Sequence, residues 1–341
     1  MAQTVQLKRS AVANKVPLTT DLALGELALN TYDGKLYTKK NVSGTETVVN
    51  LNLNAPAPED YGAVGDGVTN DTAAVLAWLN AGGGRAPDVK KIYLIDPISV
   101  SVSVNVYANC TFKQRSGWTS WTGTNGLIKL TGASVVWLGS TTFDGNRDDT
   151  AVNAGMTAIL GSNTSTISLN QYKSELFIDA TTNSIVVDIG DITVRNAIGH
   201  GVNLIAPVGK QISGRISSVT VANSAAVMYA DRCRDLTFGD IRGVDLDCRI
   251  GGNNEYFFPF LNNGVMLIRN RRCPVRSVSV KRQRGRPGRW YTAASFFITA
   301  VTQSSCTDSP IGTVDVRDAW WPLTSSSDAP SGSIADRKSV V

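Results

Sequence analysis

"ITVRN", residues 192–196, decides how this chain is read, because the same short pattern returns downstream. Copies stand at "VTVAN" (219–223), "VSVKR" (278–282) and "VDVRD" (314–318), with "IRGVD" (241–245) as a degraded one. Successive starts lie 27, 22, 37 and 36 residues apart. Each copy sets two apolar side chains on one side of an extended segment, since side chains alternate along a strand, and then meets a polar residue suited to a corner. A strand that recurs at such a period is what stacked coils of a β-solenoid produce. Each coil buries alternate side chains in a shared tube and pairs its backbone with its neighbours, so loops at the corners are free to vary in length.

Working upstream, "ISVSVSVNVYA" (98–108) alternates strictly and reads as one strand. From residue 92 onward the chain consists of short β-branched runs separated by Gly, Asn, Asp and Ser. One helix is expected, over 70–81: Asn70 or Asp71 caps it, Val75, Trp78 and Leu79 share a face, and Gly82 to Gly84 end it. It is too short to stand alone and is placed in sequence to close the N-terminal end of the stack. A β-sandwich also yields many short strands. The irregular spacing, the helix and the polar corners favour the solenoid.

"GELALNTYDGKLYTKK" (25–40) reads as a hairpin with a two-residue turn at Asp33-Gly34. Leu27, Leu29 and Leu36 then share a face with Thr31 and Thr38. A lone ribbon is marginal in water, so this face needs a partner. The expected organisation is a hairpin module at 1–49, a linker at 50–60 ("NLNLNAPAPED"), a solenoid with its capping helix at 61–322, and a polar tail at 323–341.

Composition narrows the function. The 341 residues are 42% hydrophobic, ordinary for a soluble globular protein. No apolar run approaches the roughly 18 to 20 residues of a membrane helix, and "MAQTVQLKRS" lacks the hydrophobic stretch of a secretory signal. Membrane insertion is not expected, and synthesis in a cytoplasm is. Cys110, Cys233, Cys248, Cys273 and Cys306 form no Cys-x-x-Cys pair or Cys/His cluster, so they read as buried free thiols, with no metal site. The single histidine, His200, lies between glycines in "NAIGHGVNL" and reads as a turn residue, which disfavours nucleophile–histidine catalysis. Gly62, Gly65 and Gly67 lack the spacing of a dinucleotide loop, and no spacing implies a cofactor.

The net charge of +5 is unevenly spread. "RNRRCPVRSVSVKRQRGRPGR" (269–289) is strongly basic and holds no acidic residue, which leaves the remainder mildly acidic. Its Arg282, Arg284, Arg286 and Arg289, with Trp290 and Tyr291, are candidates for holding an acidic glycan or a protein partner. Nucleic acid is the less favoured ligand, and pairing of these arginines with acidic residues of neighbouring subunits is the structural alternative. For glycoside cleavage, which needs two carboxyl groups, Asp144, Asp148, Asp149, Glu175 and Asp179 are the candidates. Corner residues such as these are also placed by turn geometry alone.

Two stretches resemble known families. Leu7 to Lys40, with its "GELALNTYDGKLYTKK" core, resembles the N-terminal module of bacteriophage tail fibres and tailspikes. "YGAVGDGVTNDTAA", Tyr61 to Ala74, is similar to the opening of pectate-lyase-like right-handed β-helices, with Asn70 as one extra residue, and "STTFDGNRDD" from Ser140 looks like their Asp-Gly-Asn corner. The joint resemblance implies a virion tail protein, a homotrimer whose Leu27, Leu29 and Leu36 faces bury one another. It implies docking of the N-terminus on a tail, adaptor or baseplate protein, and contact of the helix with host surface polysaccharide. Depolymerase activity, by hydrolysis or lyase chemistry, is the alternative. A third reading is a free monomeric β-helix enzyme.

Overall fold

The computed structural model describes residues 7–12, 15–32, 34–50, 55–116, 126–147, 174–197, 199–224, 226–246, 263–282, 299–317 and 323–325. They fall into two compact units, Met1–Ala55 and Pro56–Val341.

In the first unit the hairpin belongs to a four-stranded sheet. Lys8–Ser10 runs parallel to Leu27–Asn30, which pairs antiparallel with Lys35–Val42, and that strand pairs with Thr45–Asn50. Asn30 pairs with Lys35, so four residues separate the paired strands in place of the expected two. The register moves by two residues, an even number, and Leu29 opposite Leu36 and Leu27 opposite Thr38 still share the expected face. Those three leucines are half-buried, whereas Ala28, Asn30 and Tyr37 on the opposite face are buried. Asn30 anchors that side: its Nδ2 donates to the carbonyls of Val12 and Lys15 at 2.9 and 3.1 Å.

The second unit is a parallel β-solenoid with three faces. Strands of the first two faces are continuous, as in Ser134–Asp144, Ile185–Arg195 and Ile212–Ala222, and bend midway. The third face is a separate parallel sheet running from Ile98–Val100 through Ser174–Asp179, His200–Ile205 and Ala226–Asp231 to Leu323–Ser325. The repeat stacks as the sequence sets it: Ile192 pairs with Val219, Val219 with Ile241, Ile241 with Val278 and Val278 with Val314. The first and third positions of each copy face the core, and the fifth, in the four copies where it is described, takes a left-handed conformation, with φ of 55° at Asn196, 47° at Asn223, 54° at Asp245 and 53° at Arg282. Asn and Asp suit that conformation because a short polar side chain bonds locally. In the degraded copy Gly243 stands where a valine is expected. A Cβ there would lie 2.5 Å from a Val227 methyl and 3.0 Å from one of Leu246, which already fill the space.

The helix is Thr72–Asn80, and Val75, Trp78 and Leu79 are fully buried as expected. Its start is held differently. Asp71 turns its carboxylate back onto the glycine loop, accepting from the backbone N–H groups of Val64 at 2.7 Å and Gly65 at 3.0 Å, and Asn70 Oδ1 accepts from Thr72 N–H at 3.1 Å. The helix packs on the strands Ile92–Ile95 and Ile98–Val100. Beneath it lies an aromatic stack in which Phe112 contacts Trp78, Tyr93, Trp137 and Phe143 at centroid distances of 5.6 to 6.5 Å.

Several expectations are corrected. "ISVSVSVNVYA" is two strands, Ile98–Val100 and Val104–Ala108, in different sheets; the alternation passes through a corner because both strands keep the same parity toward the core. The expected linker ends early. Pro58–Tyr61 forms a 3-10 turn, and the Pro56 carbonyl accepts from Arg85 N–H at 2.9 Å and Trp78 Nε1 at 2.8 Å, which ties it to the solenoid. The stack also continues past residue 322, since Leu323–Ser325 pairs with Thr299–Ser304. Cys110, Cys233, Cys273 and Cys306 are free and buried as expected, and Cys248 lies outside the described residues. No helix among the described residues is long and apolar enough to cross a membrane.

Candidate functional site

The carboxylates expected from the sequence are built into the solenoid. Asp144 ends a strand of the second face and is buried. Its Oδ2 accepts from Arg195 Nε at 2.9 Å, and its Oδ1 accepts from Asn196 Nδ2 and from the Asn146 N–H, each at 3.0 Å. Asp179 ends a strand of the third face, 2.8 Å from Lys129 Nζ, and accepts from the Thr181 N–H at 3.0 Å. That lysine also sits over the Phe177 ring at 5.2 Å. Glu175 is fully buried beneath the corner that Asp144 enters: a Cβ on Gly145 would lie 2.6 Å from its Oε1. Asp148 and Asp149 lie outside the described residues. Asp144 and Glu175 therefore meet at one corner, and Asp179 ends the strand Ser174–Asp179 that also carries Glu175.

His200 is a buried strand residue in register with Ser174 and Ala226, not a turn residue. Burial lowers its pKa to about 3, so the ring is neutral at physiological pH. Its neighbour Tyr229, with ring centroids 5.9 Å apart, is pushed up to about 12, mainly by burial. Neither group exchanges a proton near neutral pH, which is what a general acid or base must do.

Half of the basic segment is spent within the chain. Four arginines reach back one coil to four aspartates: Arg269 to Asp231, Arg272 to Asp235, Arg276 to Asp240 and Arg282 to Asp245, each through Nε and Nη2. These pairs join the same two coils. Of the arginines singled out in the sequence, Arg282 pairs with Asp245 in the preceding coil of the same chain. Arg284, Arg286, Arg289, Trp290 and Tyr291 lie outside the described residues. They fall between the second-face strand that ends at Lys281 and the third-face strand that begins at Thr299, the same position in the coil as the segments between Asp144 and Ser174 and between Val244 and Asn263.

What sequence reasoning missed is a groove of about 570 Å³ where the first face bends into the second, lined by Asp191, Arg215, Ser218, Asp240, Arg242 and Arg276 among others. Its geometry follows from register. Asp191, Ser218, Asp240 and Ser277 occupy one column, one residue per coil, with Thr313 continuing it. Ser218 Oγ donates to Asp191 at 2.6 Å and Ser277 Oγ donates to Asp240 at 2.6 Å. Asp240 also takes Arg276 at 2.8 and 2.6 Å and Arg242 at 3.2 Å, and the Arg276 contact, followed by that of Ser277, holds its pKa down to about 2. Arg215 pairs with Asp188 at 2.7 Å. A signal for all this was present in the sequence: Asp188 to Arg215 and Asp191 to Ser218 span the 27-residue coil, and Asp240 to Ser277 spans the 37-residue one. Among the described residues no cluster of His, Cys, Asp and Glu is arranged to hold a metal ion.

No family model and no curated protein matches the chain. Among solved structures it is similar to a protein described as a candidate glycosyl hydrolase from Parabacteroides merdae, at 14% identity over 81% of this chain and 93% of that one, with a TM-score of 0.33. It is also similar to the Streptococcus pneumoniae surface protein and adhesin PfbA, at 11% identity over 80% of this chain and 96% of that one, again with a TM-score of 0.33. Likeness at this level bears on neither the activity nor the ligand of this chain.

Proposed function

We propose that the chain is a tail-fibre or tailspike component of a phage virion whose solenoid engages a surface polysaccharide. The first unit attaches to the tail, and three copies assemble with right-handed β-helices side by side. The observation that carries the reading is the division into two units: a small sheet with a half-exposed leucine face, and a stack of coils bearing an open groove that Asp191, Arg215, Ser218, Asp240, Arg242 and Arg276 line across four adjacent coils. The resemblance of Leu7 to Lys40 to tail-fibre modules supports the location.

Binding is favoured over cleavage by the state of the carboxylates. Asp144, Asp179 and Asp240 are each engaged by a cation of this chain, at 2.9, 2.8 and 2.6 Å, whereas glycoside hydrolysis needs two carboxyl groups facing the scissile bond. The depolymerase alternative has footholds among the described residues in Asp191, which is exposed in the groove and accepts from Ser218, and in Glu175, buried beside the Asp144 corner.

Light scattering on the whole chain tests the assembly. A mass of three copies that falls to one in the Leu27→Asp, Leu29→Asp, Leu36→Asp variant is expected. A monomeric wild type refutes the shared-face argument.

A further inference from the structure

We propose that the groove at the bend between the first and second faces binds an uncharged, hydroxyl-rich polysaccharide with a two-sugar repeat, laid along the axis of the stack. This rests on the polysaccharide reading above and names the class of polymer and the place where it sits.

The repeat comes from the column in the groove. Carboxylate and hydroxyl alternate through Asp191, Ser218 and Asp240 of the lining and on to Ser277 in the next coil, and each hydroxyl donates to the carboxylate one coil before it at 2.6 Å. The unit that recurs is therefore one Asp–Ser pair for every two coils, a period of about 9.6 Å at about 4.8 Å per coil. A polymer of alternating sugars running along the stack meets the same pair at each repeat. A polymer crossing the coils does not.

The absence of charge comes from how the charges of the groove are paired. Arg215, Arg242 and Arg276 of the lining stand against its Asp191 and Asp240 and against Asp188, which bonds Arg215 from beside the groove, and all three arginines donate to these aspartates at 2.6 to 3.2 Å. A polyanion would have to displace those carboxylates or lie beside them, at a cost in like-charge repulsion. A sugar hydroxyl both donates and accepts, so it can give its proton to a carboxylate lone pair and take one from a remaining guanidinium N–H. Asp191, Arg215, Thr237 and Arg242 are exposed, which leaves the groove open to solvent. Its volume, about 570 Å³, falls within the range of ordinary ligand sites, roughly 300 to 1,000 Å³.

The test is affinity electrophoresis of the whole chain through gels cast with purified bacterial surface polysaccharides of known repeat, neutral and acidic. Neutral polymers are expected to retard the wild type equally at about 50 and 500 mM salt, because no net charge is neutralised on binding. Two variants that fill the groove, Ser218→Tyr and Thr237→Trp, are expected to weaken retardation at least about tenfold. Thr237 is exposed, so its variant keeps the test valid if Ser218→Tyr fails to reach the wild-type melting temperature. Retardation by acidic polymers alone, fading with salt, overturns this inference and leaves the polysaccharide reading standing. Retardation that survives both variants overturns the location, and no retardation by any polymer overturns both.

Discussion

Replacing Asp240 with Asn removes one charge from the most heavily bonded carboxylate of the groove and leaves its shape nearly unchanged. Asp240 titrates near 2 in the folded chain against an ordinary value of 3.8, chiefly because Arg276 donates to it twice and Ser277 once. Such a difference corresponds to about 2 kcal/mol at pH 7 if none of it is lost to solvent. The Arg276 side chain is 70% exposed, so screening reduces the figure to roughly 1 kcal/mol. The sign follows from the lowered folded value: the stabilisation is complete above the unfolded pKa of 3.8 and disappears as pH falls through 3.8 toward 2. Urea unfolding, followed through the buried Trp78 and Trp137, is the assay, since guanidinium would itself screen the pair. Asp240→Asn is expected to lose roughly 1 kcal/mol at pH 7, to approach the wild type near pH 2.5, and to lose no more when Arg276→Ala is added. Equal stability at pH 7, or a deficit unchanged between pH 6 and 2.5, refutes the reasoning.

Two further outcomes follow from the core. Phe112→Ala empties the centre of a five-ring aromatic stack and is expected to cost about 3 to 5 kcal/mol in the same unfolding assay; a loss under about 1 kcal/mol would mean that the rings collapse into the space. Cys110, Cys233, Cys273 and Cys306 are buried, and burial raises their thiols, that of Cys273 to about 11. Iodoacetamide at pH 8 is expected to leave these four unmodified until urea is added, as read by mass spectrometry; rapid alkylation of any of them in the native chain contradicts its placement.

The sequence carried the solenoid further than it carried the site. The repeat at Ile192, Val219, Ile241, Val278 and Val314 is the pairing register itself, because a coil that slips by one residue turns its core-facing valines outward. Even the degraded copy at Ile241 stacks in place, with Gly243 making room for Val227 and Leu246. The corner inside "ISVSVSVNVYA" was hidden because apolar parity continues through it. The hairpin register was misplaced because four residues between the strands keep the same alternation as two. Of the carboxylates that stood out in the sequence, Asp144 and Asp179 are bonded to Arg195 and Lys129, Glu175 is buried beside the Asp144 corner, and Asp148 and Asp149 lie outside the described residues. Asp191, Ser218 and Asp240 did not stand out, since they are ordinary polar residues until the coil period sets them in one column.

The central claim, that the solenoid recognises a surface polysaccharide, is tested most directly by binding of the whole chain to intact bacteria before and after periodate, which opens the vicinal diols of sugars. Binding that is abolished by periodate, survives protease treatment of the cells and is weakened by Thr237→Trp is the predicted result. Binding that survives periodate and is abolished by protease would contradict it and make a protein the receptor.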